Sequence, residues 1–347
     1  LPTKATEFQW GFSLNKQSAL GTAIIATQIN KSLPQRTFAP LLKEVPNAIS
    51  DRSWFGKGHN FATFWDPITQ RYTIPSRELS MTQLSALHAF AFVLGKKTSS
   101  QPNTATAPTV YDHLFTFQDP SVNPNVLFTS MLEKAGTEWE YLFEGVVVDQ
   151  CTVRAMRDDH VVLSWEGHAR TKANSAQTIA DVASGQSYFK LLKSTINFGT
   201  QASPPAITAI VDQFQMTFSQ NPNYRNEPGN TAGQEDLLSR ILIGDQTVSG
   251  SIRILLDATN RAYFLNNTLC QLTVVFDGDV ITGAFTHRVT INIPRLRIPS
   301  EAIDQEGDQA AITLNFDENT VLKDPSSEYV NVTVRTNVDN TELLVNA

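Results

Sequence analysis

Six histidines, at 59, 88, 113, 160, 168 and 287, and two cysteines, Cys151 and Cys270, are the residues from which catalytic or metal chemistry would be built. His160 and His168 lie close in sequence to Asp158 and Glu166, and imidazole with carboxylate is a donor set that suits zinc. Such a site needs three or four ligands converging on one point. Here the four residues are spread over a turn and an alternating run, and no further His or Cys follows at ligand spacing. Asp158-Asp159 reads as turn chemistry rather than as a general acid and base. His88 falls within an apolar segment and reads as a packed side chain. His113 and His287 open similar strings, Asp-His-Leu-Phe-Thr-Phe and Thr-His-Arg-Val-Thr-Ile, so each reads as a structural position that recurs. Both cysteines sit in apolar or β-like runs and are expected as buried free thiols.

The motifs that carry catalysis are missing. There is no Gly-x-x-x-x-Gly-Lys-Ser/Thr, no Gly-x-Gly-x-x-Gly after a strand, no Cys-x-x-Cys, no His-Glu-x-x-His and no Gly-x-Ser-x-Gly. No enzyme, cofactor or metal is therefore expected. With 34 acidic against 27 basic residues the net charge is −7, and the longest basic cluster is Lys96-Lys97. A surface that grips phosphates needs concentrated Lys and Arg, so tight nucleic-acid binding is not expected either. No apolar run approaches the ~18 residues of a membrane-spanning helix. The first residues, Leu-Pro-Thr-Lys, lack the layout of a signal peptide.

The elements that position these residues are mostly strands. Glu7–Leu14 alternates, with Phe8, Trp10, Phe12 and Leu14 on one face. Phe61–Trp65 is β-prone until Asp66-Pro67 stops it. Ser80–Leu94 predicts a helix with Ser80 as N-cap and Gly95 beyond its end. Leu84, Leu87, Ala91 and Leu94 give it an apolar stripe, widened by Phe90 and Phe92, that would pack flat on a sheet. Lys96–Pro108 predicts an exposed loop, and Tyr111–Phe117 a strand. Glu144–Arg170 predicts a hairpin turning at Arg157-Asp158-Asp159. Val147, Cys151, Val153, Val161, Leu163 and Trp165 would face a core, and Gln150, Thr152, Arg154, Ser164 and Glu166 the other side. Thr171–Ser187 reads as a linker or short exposed helix. Pro204-Pro205 marks a boundary, Ile207–Phe218 a strand, and Asn221–Gln234 a long loop of the kind that usually has a role.

The order of these elements recurs. The run Phe61–Ile74, the helix Ser80–Leu94, the strand Tyr111–Phe117 and the hairpin after it are echoed in the second half. There Thr247–Leu256 is followed by Asn260–Leu269, Gln271–Phe276, Phe285–Ile293, Ala310–Phe316 and Tyr329–Arg335. The match is one of pattern and not of letters. It predicts a mainly β chain made of two tandem β-sandwich or β-barrel domains, 1–185 and 186–347, each with a flanking α-helix.

Lys16-Gln17-Ser18-Ala19-Leu20-Gly21-Thr22-Ala23 is similar to an N-terminal signature, Lys-Glu/Gln-Ser/Thr-x-x-Gly-Thr-Ala, of the major tail tube proteins of long-tailed bacteriophages. Tyr111–Phe117 resembles that family's Tyr-x-His-x-Phe-Thr strand. Gly145–Gly167 and Val211–Phe218 resemble its hairpin and a strand that opens the second half. The resemblance implies β-sandwich or partly open barrel units that close into rings, with the rings stacking into a hollow tube through which the genome passes. A duplicated chain implies a trimeric, pseudo-hexameric ring; the alternative is a hexamer. Implied partners are further copies of the chain, tail terminator and baseplate or tip proteins, and a sheath if the tail contracts. The implied location is the virion tail, assembled in the host cytoplasm.

Candidate lumen residues are Asp149, Gln150, Thr152, Glu166, Asn315 and Asp317, on strands Gly145–Arg154, His160–His168 and Ala310–Phe316, with Tyr329–Arg335 as a fourth wall strand. An ordinary solvated sheet face is the competing reading. Candidate ring-stacking residues are Asn221, Tyr224, Asn226, Glu227, Asn230 and Thr104, with the arm Leu1–Glu7. The alternatives to a tube are another tail structural protein or a carbohydrate-binding β-sandwich using Trp10, Trp54, Trp65 and Trp139.

Overall fold

Alternation of apolar and polar residues, interrupted by Gly, Pro and Asn turns, folds the chain into antiparallel strands. The computed structural model describes residues 8–22, 24, 29, 31–32, 43–44, 48–49, 64–65, 72–135, 139–174, 185–201, 204, 206–207, 211–225, 240–255, 268–297, 300–306, 309–325 and 328–344. The strands begin with β1 (Phe8–Phe12), the two-residue pieces β2 (Lys31–Ser32), β3 (Lys43–Glu44), β4 (Ala48–Ile49) and β5 (Phe64–Trp65), and β6 (Tyr72–Ser80). Helix α1 (Gln83–Leu94) leads into β7 (Gly95–Ser100), β8 (Tyr111–Phe117), β9 (Thr129–Ala135), the long β10 (Trp139–Met156), β11 (Val162–Ala169) and β12 (Thr171–Asn174). After a 3-10 turn at Leu191–Lys193 come β13 (Ser194–Thr200), β14 (Val211–Ser219), β15 (Asn223–Arg225), β16 (Arg240–Leu242) and β17 (Thr247–Leu255). The chain continues through β18 (Cys270–Thr282), β19 (Phe285–Leu296), β20 (Ser300–Glu306), β21 (Gln309–Phe316) and β22 (Asn331–Thr336).

Two sheets hold most of these strands. A 12-stranded sheet runs β2-β1-β9-β10-β14-β17-β21-β20, with β11 joining β10 to β6, β3 pairing with β6 and β12 pairing with β10. A six-stranded sheet runs β13-β18-β19-β22-β8-β7. Strands from before and after residue 185 share both sheets: β10 pairs with β14, and β8 with β22. One hydrophobic cluster extends through both, including Phe90, Cys151, Trp165, Phe214, Ile252, Leu272, Ile291 and Val332.

Helix α1 differs from the expected amphipathic helix. All twelve of its residues are buried, because it touches strands of both sheets at once and fills the space between them. A helix apolar all round belongs in that position. Its N-cap is Thr82 and not Ser80. Ser80 still pairs with Val162 as the last residue of β6, and the Met81 amide donates to the Val161 carbonyl, so the chain first leaves the sheet at Thr82. There the Thr82 amide donates to Ser85 Oγ at 2.8 Å and the Ser85 amide to Thr82 Oγ1 at 3.3 Å, a reciprocal cap. Gly95 closes the helix at φ +86°, as its position in the sequence predicted.

The stretch Lys96–Pro108 is only partly a loop. Its first residues form β7, whose side chains alternate between half-buried and exposed against β8. The turn proper starts near Gln101, where Asn103 Oδ1 accepts from the Ala105 and Thr106 amides. Residues Thr171–Asn174, expected as linker, pair with β10 as β12. The second helix expected over Asn260–Leu269 lies, up to residue 267, outside the described residues.

Strand β10 carries the most consequential local irregularities. At Gly145 it adopts φ +62° and the pairing register shifts, so residues 139–146 pair with β9 and β12 and residues 147–156 with β11 and β14. A second shift between Val148 and Gln150 is a β-bulge. It reverses the facing of the strand. Val146 and Val148 enter the main core before it, Cys151, Val153 and Ala155 after it, and Val147 joins a separate small cluster with Val126 and Ile241. Gly167 lies across from this bulge, and a Cβ there would collide with the Val147 carbonyl. Val147 therefore does not share the core face of Cys151 as plain alternation predicted.

Candidate assembly surfaces

The face of the large sheet turned away from α1 is paved with small polar side chains. Cross-strand registry sets them in rows. Glu166, Gln150, Ser219 and Thr247 form one row, and Glu78, Ser164, Thr152, Thr217 and Ser249 the next. A third runs through Arg154, Gln215, Ser251 and Asn315. Thr152 and Thr217 share a hydrogen bond at 2.8 Å, the mutual hydroxyl contact expected of facing threonines. The charges on this face are mostly paired: Arg154 lies 3.4 Å from Glu78, and Arg253 lies 3.9 Å from Asp212. Burial, and then the neighbouring Asp149 carboxylate, push the Glu166 pKa up.

The sequence-derived candidates divide on this surface. Gln150, Thr152, Glu166 and Asn315 fall on it together. Asp317 follows β21 in a turn, where its carboxylate accepts from the Asn319 amide at 3.0 Å. Strand β22, offered as a fourth wall strand through Tyr329–Arg335, belongs to the six-stranded sheet and does not share this face.

Asp149 sits in the bulge, and the structure joins it to a residue placed on a different surface by the sequence. Tyr224 OH donates to Asp149 Oδ1 at 2.5 Å, and His168 Nδ1 lies 2.6 Å from Asp149 Oδ2. The Tyr224 ring stands edge-on to His168 at 4.9 Å. These contacts fasten the β15–β16 ribbon to the bulge. Asn221 caps the same junction, donating to the Asp245 carbonyl at 2.6 Å. Asn226, Glu227 and Asn230, like Leu1–Glu7, lie outside the described residues. Thr104 is exposed in the turn between β7 and β8.

The segment Lys16–Thr22 is a buttress for β10. Gln17 is buried, and its carboxamide accepts from the Gly145 amide at 3.1 Å while donating to Ser130 Oγ at 3.1 Å. Gly21, at φ +82°, leaves room for the Arg170 guanidinium, which donates to the Leu20 carbonyl at 3.4 Å. The signature residues therefore fix the kink that divides β10.

Among the described residues the histidines and cysteines form no reactive centre. Among the described residues no group of three or more His, Cys, Asp or Glu could hold a metal ion. His113 is spanned by Ser99 Oγ at 2.8 Å and the Val338 carbonyl at 2.9 Å, and burial lowers its pKa. His287 is likewise buried with a lowered pKa. Both cysteines are buried free thiols, and burial pushes Cys270 up to about 11 and Cys151 higher still, so neither offers a thiolate. Trp10 is buried under the Arg77 guanidinium, which lies 3.2 Å from its ring centre, and presents no face to a sugar. Trp54 and the side chains of Trp65 and Trp139 lie outside the described residues.

Sequence reasoning missed Arg77, whose guanidinium is buried against Glu133 at 3.1 Å. The available signal was an arginine two residues before Leu79, on the inward register of that end of the strand; the irregularity between Ile74 and Arg77 breaks the alternation that would otherwise have linked it to Tyr72 and Ile74.

No helix among the described residues is long and apolar enough to cross a membrane. None of the curated proteins searched matches the chain. The model of the phage tail tube protein family matches residues 76–317, more than two thirds of the chain, so the chain belongs to that family of structural proteins, which is not a family of enzymes.

Proposed function

We propose that copies of this chain close into rings around an open axis, that the rings stack into the tail tube, and that the paved face of the large sheet lines the passage for the genome. The observation that carries this is the face itself: rows of Ser, Thr, Gln and Asn in which Arg154 and Arg253 are each beside a carboxylate. A moving polyanion is retained by unpaired cations and slowed by apolar contact. Neutral hydroxyl and amide groups, such as the mutually bonded Thr152 and Thr217, offer neither. Gln150, Thr152, Glu166 and Asn315 are the lumen residues in this reading.

The ring contains three chains. Support comes from the recurrence of paired strands: β7–β8 and β9–β10 follow one another in the first half, β18–β19 and β20–β21 in the second. His113 and His287 occupy β8 and β19, the corresponding strands. Two such units per chain, domains 1–185 and 186–347, reach pseudo-sixfold symmetry with three copies. Native mass spectrometry of the purified ring should give three chains, and six would return the duplication to a coincidence of pattern. The ring is assembled in the host cytoplasm and meets terminator and tip proteins at the tube ends.

The lumen assignment has its own test. Tails carrying Thr217→Lys together with Glu166→Lys should form tubes of normal length that release DNA several-fold more slowly, with the delay shrinking as salt is raised. Unchanged release would move the passage to another surface.

A further inference from the structure

Exposed apolar side chains gather at the two opposite ends of the strands. At one end the turn after β10, the segment 185–193 and the β18–β19 tip come together: the Asp279 amide donates to Ser187 Oγ at 2.6 Å, and His160 bridges Lys190. This end exposes Leu192 (69%), Val280 (64%), Met156 (42%) and Tyr188 (39%). Leu192 stands on the 3-10 turn, between the exposed Lys190 and Lys193, as a basic apolar knob. At the other end a cleft of about 500 Å³ opens between the β8 terminus, the start of β17 and the segments before and after Lys323. Its apolar lining includes Phe117, Val248, Val321 and Tyr329. Its charged lining has four carboxylates (Asp119, Asp245, Glu318, Glu328) against two lysines, Lys96 and Lys323. Lys96 already faces Glu328 at 3.0 Å, and Lys323 lies 5.0 Å from the Tyr329 ring centre.

We infer that the Leu192 knob of one copy seats in the Phe117–Tyr329 cleft of a second copy, and that this is the contact between successive rings. The inference rests on the tube reading and adds the partner surfaces to it. Three observations support it. The knob and the cleft have opposite polarity of charge: Lys190 and Lys193 flank the leucine, and Asp119, Asp245 and Glu318 are exposed around the cleft. Both are apolar at their centres, which places the desolvated anchor inside a charged rim. They also lie at opposite ends of the same strands. Strand β17 begins beside the cleft at Thr247 and ends at Leu255 near the knob end, about 27 Å away for nine extended residues. A knob and socket at opposite ends cannot satisfy each other within one two-fold pair. They are satisfied by head-to-tail repetition, the arrangement that makes filaments.

The experiment compares the full-length chain with Leu192→Asp, with Lys190→Glu/Lys193→Glu, and with the latter combined in one chain with Asp245→Lys/Glu318→Lys. Sedimentation reports rings, and negative-stain microscopy reports rods. The first two variants should keep rings and raise the threshold concentration for rods about tenfold or more, the size of losing one interface anchor. The combined reversal should restore rods, because the opposed charges are exchanged and not removed. Rods from Leu192→Asp at the unchanged threshold overturn the inference and leave the tube reading standing. Failure of the combined reversal to restore rods after its parent lost them also overturns the pairing. Absence of rings and rods from the unmodified chain counts instead against the tube reading.

Discussion

Replacing Glu133 by leucine should destabilise the chain by about 3–5 kcal/mol, whereas replacing Glu133 by leucine and Arg77 by methionine together should cost far less or nothing. The pair is fully enclosed, at 0% and 1% exposure, with Arg77 Nη2 3.1 Å from Glu133 Oε1 and its guanidinium stacked on Trp10. Burial lowers the Arg77 pKa from its ordinary value to about 10 despite the adjacent carboxylate. Desolvation thus outweighs the attraction of Glu133, although the guanidinium stays charged at neutral pH. Removing only Glu133 leaves that cation in the core with its charge partner gone. Removing both replaces two desolvated charges by apolar volume between Trp10 and its neighbours. Thermal melts of the two single variants and the double variant measure the coupling. The single change should lower Tm by about 4–7 °C. Additive losses would mean that the pair is not coupled, and an equal loss in the double variant would mean that it contributes net stability.

The same pair marks where sequence pattern stops being informative. Strands such as Tyr111–Phe117 and the arms of the Glu144–Arg170 hairpin are legible because each has a buried and a half-buried face, and period-2 alternation records that directly. Gly95 is legible because a helix end at positive φ selects glycine. The bulge at Asp149 is not, since one extra residue changes facing without changing composition. Simple alternation therefore put Val147 with Cys151 and split Asp149 from Tyr224. Helix α1 showed a stripe in sequence because Gln83, Ser85 and His88 look polar, yet all three are buried. A helix between two sheets has no solvent side for a pattern to record. Gln150, Thr152 and Glu166 were legible as outward positions of a hairpin, and their joining with Ser249, Ser251 and Asn315 into one face depends on β14 and β17 pairing across the middle of the chain.

That face and His88 make opposite uses of polar groups, and the second leads to a pH prediction. On the sheet surface the Thr152 and Thr217 hydroxyls meet each other. The His88 ring lies among Phe12 at 4.8 Å, Phe92 at 5.1 Å and Trp165 at 5.6 Å between ring centres, and neither of its nitrogens has a hydrogen-bond partner. Burial alone pushes its pKa from 6.5 down to about 3. The folded chain therefore refuses a proton that the unfolded chain accepts. Stability is intact above pH ~6.5 and falls as pH drops toward ~3, by roughly 1.4 kcal/mol per pH unit and on the order of 5 kcal/mol in all. His113 and His287, also lowered, add to the loss with the same sign; Glu144 and Glu166, raised by burial, oppose it near the carboxylate range. The variant His88→Leu separates these contributions. It should be as stable as the parent at pH 7, or more stable by about 1–3 kcal/mol, because two unsatisfied polar atoms leave the core. Between pH 6.5 and 4 its denaturation midpoint should fall much less than that of the parent. Parallel pH profiles for the two chains would mean that His88 gains its proton without unfolding, and that the aromatic cage around it opens to water in the native state.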